Sequence, residues 1–301
     1  MISRVLLLLL LLFMTGLSHA DLRIFSCEPE WAALADEIGG AAVKTSSATN
    51  SLQDPHYIDA RPSLIAKVRR AKLVICSGAQ LEIGWLPMLL RKANNPSVLP
   101  GTDGFIEASA LVDRLEVPLA IDRAEGDMHP QGNPHIQTNP HNIAVVARRL
   151  AERMAALDPQ QANHYQSRLK EFLERWEMAI QGWEQRGEEL AGKRMVAHHK
   201  SWVYLADWLA IEELAYLEPV PGIPPTANHL ARLLKQLGSD ESGADFIIRS
   251  PYQSAKASEW LADRTGIRPL LLPLTVGGTE QAEDLFSFFD DLLDRLLGEP
   301  E

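Results

Sequence analysis

Three histidines directly follow a proline or end an apolar segment. His56 and His135 each follow a proline directly, and His199 closes the segment KRMVAHH. Proline fixes its own φ and moves the residue before it away from the helical region, so the first two histidines lie on stiffened backbone. Neutral imidazole suits Zn²⁺, Cu²⁺ or Fe²⁺ and does not suit Ca²⁺ or Mg²⁺, which prefer oxygen ligands. The three positions therefore form a plausible three-nitrogen site, best suited to Zn²⁺.

These histidines are 79 and 64 residues apart and match no compact motif, so the fold has to bring them together. The first half of the chain predicts strands at LRIFSC, VKTSSAT and AKLVICSG, with helices between them. After a long polar helix the same alternation returns, with strands at KRMVAHH, EELAYLEPV, ADFIIRS and RPLLLPL. Strands separated by helices imply right-handed crossovers and parallel sheets. We expect an α/β fold of two lobes.

One long helix is predicted between the lobes. The segment 161–190 has no proline, and its apolar residues recur every three or four positions. We therefore expect a signal peptide at 1–20, an N-terminal lobe at 21–160, a linking helix at 161–190 and a C-terminal lobe at 191–301. Ligands of parallel sheets bind outside the carboxyl ends of the strands, so the metal cleft should lie between the lobes.

The first twenty residues, MISRVLLLLLLLFMTGLSHA, have the three parts of a secretory signal peptide. The apolar run is too short to span a bilayer comfortably, and no cysteine follows Ala20 to carry a lipid. We expect cleavage near Ala20/Asp21 and a periplasmic protein. The formal charge of −11 becomes −12 once Arg4 is removed, which argues against nucleic acid as a partner and fits the handling of cations.

The two cysteines, Cys27 and Cys76, each end an apolar run that predicts a buried strand. They are candidates for neighbours at one sheet edge, where a disulfide and two buried thiols both remain open. Their separation of 49 residues lacks the close spacing of cysteine metal ligands, which argues against that role.

Four segments carry a resemblance to a known family. DPHYIDARPSLIAKVRRAKLVICSGAQLEIGWLP, GNPHIQTNPHNIAVVARRLAERMAALDP, AHHKSWVYLADWLAIEEL and LEPVPGIPPTANHLARLL follow one another as in the ZnuA-like or TroA-like zinc- and manganese-binding proteins of metal ABC importers. The resemblance implies two α/β lobes bridged by a rigid helix, with metal ligands at His56, His135 and His199. In that family the third ligand precedes a tyrosine by five residues, and Tyr204 selects His199. Adjacent strand residues face opposite ways, so His198 should pack within its own lobe.

The sequence leaves the identity of the fourth metal ligand open. Many relatives supply an aspartate after the last strand, where this chain reads LTVGG at 274–278. Glu30 is the preferred protein ligand, a water is an equal alternative, and Glu218 and Glu280 are weaker candidates. The histidine-rich loop of many zinc-type relatives is reduced to DRAEGDMHPQG, so its one histidine, His129, should contribute little to metal collection.

The resemblance implies a monomer that captures Zn²⁺, with Mn²⁺ or Fe²⁺ as less suitable ions, and delivers it to the membrane permease of an ABC importer. Because imidazole must be neutral to bind metal, affinity should fall below a pH of about 6.5. The alternative is an exported zinc-dependent hydrolase with Glu30 or Glu218 as general base, although no H-E-x-x-H helix or nucleophile elbow is present.

The tripeptide Asn-Pro-His occurs twice in GNPHIQTNPH, and its two copies predict different roles. The first stiffens the loop that carries His135. In the second, Asn139 predicts an N-cap and Pro140 the first residue of a helix, which leaves His141 facing solvent. His164 and His229 are expected on helices, as a surface and a structural residue.

Overall fold

The computed structural model describes residues 21–118, 129–238 and 243–299. The predicted signal peptide lies outside these residues. Within the described ranges, no helix combines the length and the apolar character that crossing a bilayer requires.

The N-terminal lobe is built on a parallel sheet of four strands in the order β2-β1-β3-β4. Largely buried, mainly apolar runs form its two central strands, as the sequence predicts. The strands are β1 (Leu22–Ser26), β2 (Val43–Ser47), β3 (Leu73–Cys76) and β4 (Phe105–Glu107), and the helices are α1 (Pro29–Gly39), α2 (Pro62–Arg70) and α3 (Leu86–Ala93).

The C-terminal lobe repeats this arrangement with the order β6-β5-β7-β8, again parallel. Its strands are β5 (Arg194–Ala197), β6 (Glu212–Tyr216), β7 (Phe246–Arg249) and β8 (Arg268–Leu271). Its helices, numbered after the two between the lobes, are α6 (Val203–Leu209), α7 (Ala227–Leu237), α8 (Lys256–Thr265) and α9 (Leu285–Leu297). In each sheet the strand order reverses beside the first strand, which is where ligands of such sheets bind.

Two helices lie between the sheets in the chain, α4 (Pro140–Leu157) and α5 (Ala162–Gly187). Asn139 caps α4 through a hydrogen bond from the backbone N–H of His141, with Pro140 in the first turn, as predicted. The long helix α5 contacts α1 of the N-terminal lobe and α9 of the C-terminal lobe. The fold prediction of two α/β lobes joined by a long helix is therefore confirmed.

The stripe on α5 that the sequence predicts is buried. Phe172, Trp176, Ile180 and Trp183 belong to one apolar core that contains residues of both lobes. A shared, close-packed core resists small displacements of its parts, so the two halves of the cleft are held on one frame.

Cys27 and Cys76 form a disulfide, one of the two states left open by the sequence. Cys27 follows β1 and Cys76 ends β3, and these two strands are neighbours in the sheet. The pairing of the strands brings the Cα atoms of the two cysteines to 4.7 Å.

Candidate metal centre

The three predicted histidines meet in the cleft between the lobes. One ring nitrogen from each of His56, His135 and His199 lies within 4.8 Å of the other two. We call this group the histidine cluster. His56 lies in the loop after β2, His135 just before the start of α4, and His199 two residues after β5. Loops from both lobes therefore contribute nitrogen atoms to one point.

A carboxylate orients His56. Its Nδ1 lies 2.7 Å from Oδ1 of Asp54, which also accepts a hydrogen bond from the backbone N–H of His56 at 3.0 Å. Burial acts to raise the pKa of Asp54, but the hydrogen bonds and charge of His56 hold that pKa below its usual value. The carboxylate stays ionised and binds Nδ1, which leaves Nε2 of His56 available to a metal.

His199 is oriented in the same way by Glu218. Nδ1 of His199 lies 2.7 Å from Oε2 of Glu218, and the backbone N–H of Gly222 donates to the same oxygen at 2.9 Å. Glu218 therefore lies behind the histidine, on the side away from its free Nε2. Glu280, the other weaker candidate for a fourth ligand, is exposed.

His135 is the most deeply buried member of the cluster, with 1% of its surface exposed. Its Nε2 is buried without a hydrogen-bond partner. Burial, followed by the charges of His56 and His199, holds the pKa of His135 well below the usual value, so the ring is neutral at pH 7. A buried polar atom without a partner is costly, and a bound metal ion would satisfy it.

Glu30 lies beside the cluster but is not one of its members. The hydroxyl of Thr275 donates to Oε2 of Glu30 at 2.5 Å, and Oε1 is buried without a partner. Burial raises the pKa of Glu30 to about 7. Glu30 and His135 line a cavity of about 20 Å³, large enough for roughly one water molecule.

His129 also lies at the site, although its short loop predicted only a slight role. Its Nε2 is 3.3 Å from Nε2 of His56, and the two rings stack with centroids 5.4 Å apart. Burial, followed by the charges of His56 and His199, lowers the pKa of His129 to about 3. One feature of the sequence could have indicated His129. It stands next to a proline in the loop that leads to His135, and His56 and His135 also stand next to prolines.

The remaining histidines lie outside the cluster. His198 is buried, with Nε2 4.0 Å from Glu218 of its own lobe. His141 is half exposed and pairs with Glu184 on α5 at 2.8 Å. The rings of His164 and His229 bond to backbone carbonyl oxygens, so both histidines have structural partners.

Hydrogen bonds also join the lobes near the cluster. Besides the bond from Thr275 to Glu30, the hydroxyl of Ser51 donates to the carbonyl oxygen of Gly277 at 2.6 Å. A cavity of about 260 Å³ opens beside His56 and His199. The arrangement thus offers imidazole nitrogens inside and carboxylates behind two of the rings, a typical construction for a bound transition metal.

Comparison with known proteins gives the family. Residues 24–298 match the model of the family described as ZnuA, zinc-uptake complex component A, periplasmic. The chain is similar to the manganese ABC transporter substrate-binding lipoprotein PsaA of Streptococcus pneumoniae, 24% identical over 52% of this chain and 49% of the relative. The corresponding lipoprotein scaA of Streptococcus gordonii is 25% identical over 54% of this chain and 50% of the relative. The matched part thus spans about half the length of these curated relatives.

Solved structures share the fold. A crystal structure of ZnuA has a TM-score of 0.74 and 22% identity, covering 92% of this chain and 99% of that one. A manganese-bound periplasmic metal-binding protein from Candidatus Liberibacter asiaticus has a TM-score of 0.73 and 19% identity, covering 91% and 98%. The family model extends over both lobes and the helix between them, and the family consists of solute-binding proteins, not enzymes. The chain therefore belongs to the ZnuA family of substrate-binding proteins of metal ABC transporters.

Proposed function

We propose that this protein captures one Zn²⁺ outside the cytoplasm with His56, His135 and His199 and delivers it to the membrane permease of an ABC importer. The observation that carries the proposal is the histidine cluster, in which one ring nitrogen of each histidine lies within 4.8 Å of the other two. The Nε2 of His135, buried without a partner, supports it. A cation with an affinity for neutral imidazole is the partner that such a point fits best.

The ligand types favour zinc over manganese. The histidine cluster presents three nitrogen atoms and contains no carboxylate, whereas Mn²⁺ prefers carboxylate, carbonyl and water oxygens. The streptococcal relatives are named as manganese proteins, and the matched family is named for zinc uptake. Fe²⁺ also accepts imidazole but is the weaker competitor in the order of divalent affinities.

The carboxylates behind His56 and His199 support a tightly held metal. Asp54 and Glu218 accept from Nδ1, which fixes the tautomer in which Nε2 has a free lone pair. They also raise the basicity of the ligating nitrogen. Two of the three proposed ligands therefore need no reorientation when the metal arrives.

We propose His129 as the fourth ligand. Two nitrogens bound tetrahedrally to one Zn²⁺ at 2.0–2.1 Å are about 3.3 Å apart, and Nε2 of His129 lies 3.3 Å from Nε2 of His56. His129 is not within the group of three and has to move inward to bind. Glu30, the sequence-based candidate, has one oxygen bound to Thr275 and faces the small cavity beside His135. It remains the alternative, with water.

Ligands from both lobes make the bound metal a link between them. A permease can distinguish loaded from empty protein when the two states differ in the closure of the cleft. The predicted signal peptide and the extracytoplasmic character of the family support a location outside the cytoplasm, with periplasmic release by cleavage near Ala20/Asp21 as the specific proposal.

The test is a zinc titration of the metal-stripped protein against a chelator of known affinity. We expect one Zn²⁺ per chain with submicromolar affinity, and a loss of at least about 100-fold in His199→Ala. His141→Ala is the matched control, because His141 is a half-exposed histidine paired with Glu184 away from the site. Millimolar affinity in the natural protein, or an unchanged affinity in His199→Ala, would contradict the proposal.

A further inference from the structure

The side chain of Asn133 connects the backbone beside two of the proposed ligands. It is almost fully buried, with 4% of its surface exposed. Its Oδ1 accepts from the backbone N–H of His135 at 3.0 Å, and its Nδ2 donates to the carbonyl oxygen of Lys200 at 2.8 Å. Lys200 follows His199 directly. One amide group therefore connects, by hydrogen bonds, the loop that carries His135 and the loop that carries His199.

The partners fix the orientation of this amide. A backbone N–H can only donate and a carbonyl oxygen can only accept, so a flipped amide would lose both bonds. Nδ2 also lies 3.2 Å from Oε2 of Glu116, whose other oxygen accepts from Nζ of Lys200 at 2.9 Å. Glu116 has a φ of +53°, a conformation that a non-glycine residue keeps only where its surroundings hold it.

The backbone of Asn133 makes a second connection between the lobes. Its carbonyl oxygen accepts from the hydroxyl of Tyr204 at 2.8 Å, and its N–H donates to the carbonyl oxygen of Leu115 at 2.8 Å. The Tyr204 hydroxyl in turn accepts from the N–H of Leu115 at 3.1 Å. Tyr204 is buried on α6, the helix that begins just after the His199 loop.

We infer that Asn133 is a positioning residue that sets the distance between His135 and His199 across the cleft. The inference rests on the proposed function. Neither the side chain of Asn133 nor that of Tyr204 is a proposed ligand, but together they hold the two ligand loops against each other. Because Zn–N bonds lie within a narrow range near 2.0–2.1 Å, a small shift between the loops weakens binding without removing a ligand.

Two substitutions test whether Asn133 sets the spacing of the two ligand loops or only stabilises its own loop. Asn133→Asp keeps an oxygen for the N–H of His135 but removes the donor to Lys200. Tyr204→Phe removes the second connection without changing charge. We expect each to lower zinc affinity about 10–100-fold, at unchanged stoichiometry, as changes to residues behind metal ligands do. The two effects should be non-additive in the double variant, because both act on the same pair of loops.

The control is Asn95→Ala, because Asn95 is another asparagine that bonds to backbone groups, within the N-terminal lobe. Unfolding by denaturant and the absorption spectrum of bound Co²⁺ are measured for each variant. We expect Asn95→Ala to lower stability only, and Asn133→Asp and Tyr204→Phe to change the cobalt spectrum as well.

Zinc affinity within twofold of the natural protein in both site variants, with unchanged cobalt spectra, would overturn the inference while the proposed function stands. An equal loss of affinity in Asn95→Ala would also overturn it, because the loss would then follow stability alone. Failure of the natural protein to bind zinc would instead refute the proposed function, and the inference with it.

Discussion

Glu218 lies directly behind His199, with Oε2 2.7 Å from Nδ1 of the histidine. The carboxylate itself is held by the backbone N–H of Gly222 at 2.9 Å. A glutamate that the sequence offers as a weak candidate for a fourth ligand therefore occupies the position of an outer partner. Its effect on a metal would pass through the orientation and basicity of the imidazole.

Replacing Glu218 by glutamine should lower zinc affinity about 10–100-fold, because the neutral amide holds the imidazole less firmly and raises its basicity less. A chelator-competition titration measures the change. The matched control is Glu184→Gln, which alters the carboxylate paired with His141 outside the site. Equal affinities for the two variants would contradict the orienting role of Glu218.

The two candidates for the fourth ligand, His129 and Glu30, can be distinguished because they predict opposite results. If His129 binds, His129→Ala should lower zinc affinity at least about 10-fold and change the spectrum of bound Co²⁺, because a nitrogen is replaced by water. Glu30→Gln should leave that spectrum unchanged. The reverse result would assign the position to Glu30, and two unchanged spectra would assign it to water.

The metal-stripped protein should select Zn²⁺ over Mn²⁺ by a factor of at least about 100, since the cluster provides nitrogen ligands and the general order of divalent affinities also favours zinc. Competition between the two ions, followed by quantification of the bound metal, measures the ratio. Preferential retention of Mn²⁺ from an equimolar mixture would mean that oxygen ligands outside the histidine cluster dominate the site.

The contribution of Glu30 to the stability of the metal-free protein should fall as the pH rises. Burial raises the pKa of Glu30 from 4.5 to about 7. The folded state therefore keeps a proton that the unfolded chain releases, and this contribution is present below pH 4.5 and lost as the pH passes about 7. Glu30→Gln should remove that part of the pH dependence, on the order of 1–3 kcal/mol.

Denaturant unfolding at pH 5 and pH 8, with a chelator present, tests this difference. Glu28 and Glu82 are also buried with raised pKa values, and Glu30 interacts with both carboxyl groups. The difference between the two pH profiles therefore reports the titration of Glu30 together with its effect on these neighbours. Glu280→Gln is the control, because Glu280 is exposed. Parallel pH profiles for the natural protein and Glu30→Gln would show that the Glu30 carboxyl does not hold the extra proton.

Local pattern was sufficient for the fold. The apolar runs at 22–26, 73–76 and 246–249 predict buried parallel strands, because a strand covered on both faces needs apolar side chains throughout. The apolar stripe from Tyr165 to Trp183 predicts the long helix, and Asn139-Pro140 predicts the start of α4. Each of these features depends on residues that are close together in the sequence, so a local pattern is enough to predict it.

Contacts between segments that are distant in the sequence could not be predicted in this way. The sequence determined which residue types stand at His56, His135 and His199, and left the state of Cys27 and Cys76 open until strand pairing placed them side by side. Only the tertiary structure decided that Glu218 lies behind His199, that His129 stacks on His56, and that Asn133 bonds across the cleft. These contacts join loops separated by 19 to 73 residues. Their geometry depends on how two lobes pack on a shared core, which no local periodicity specifies.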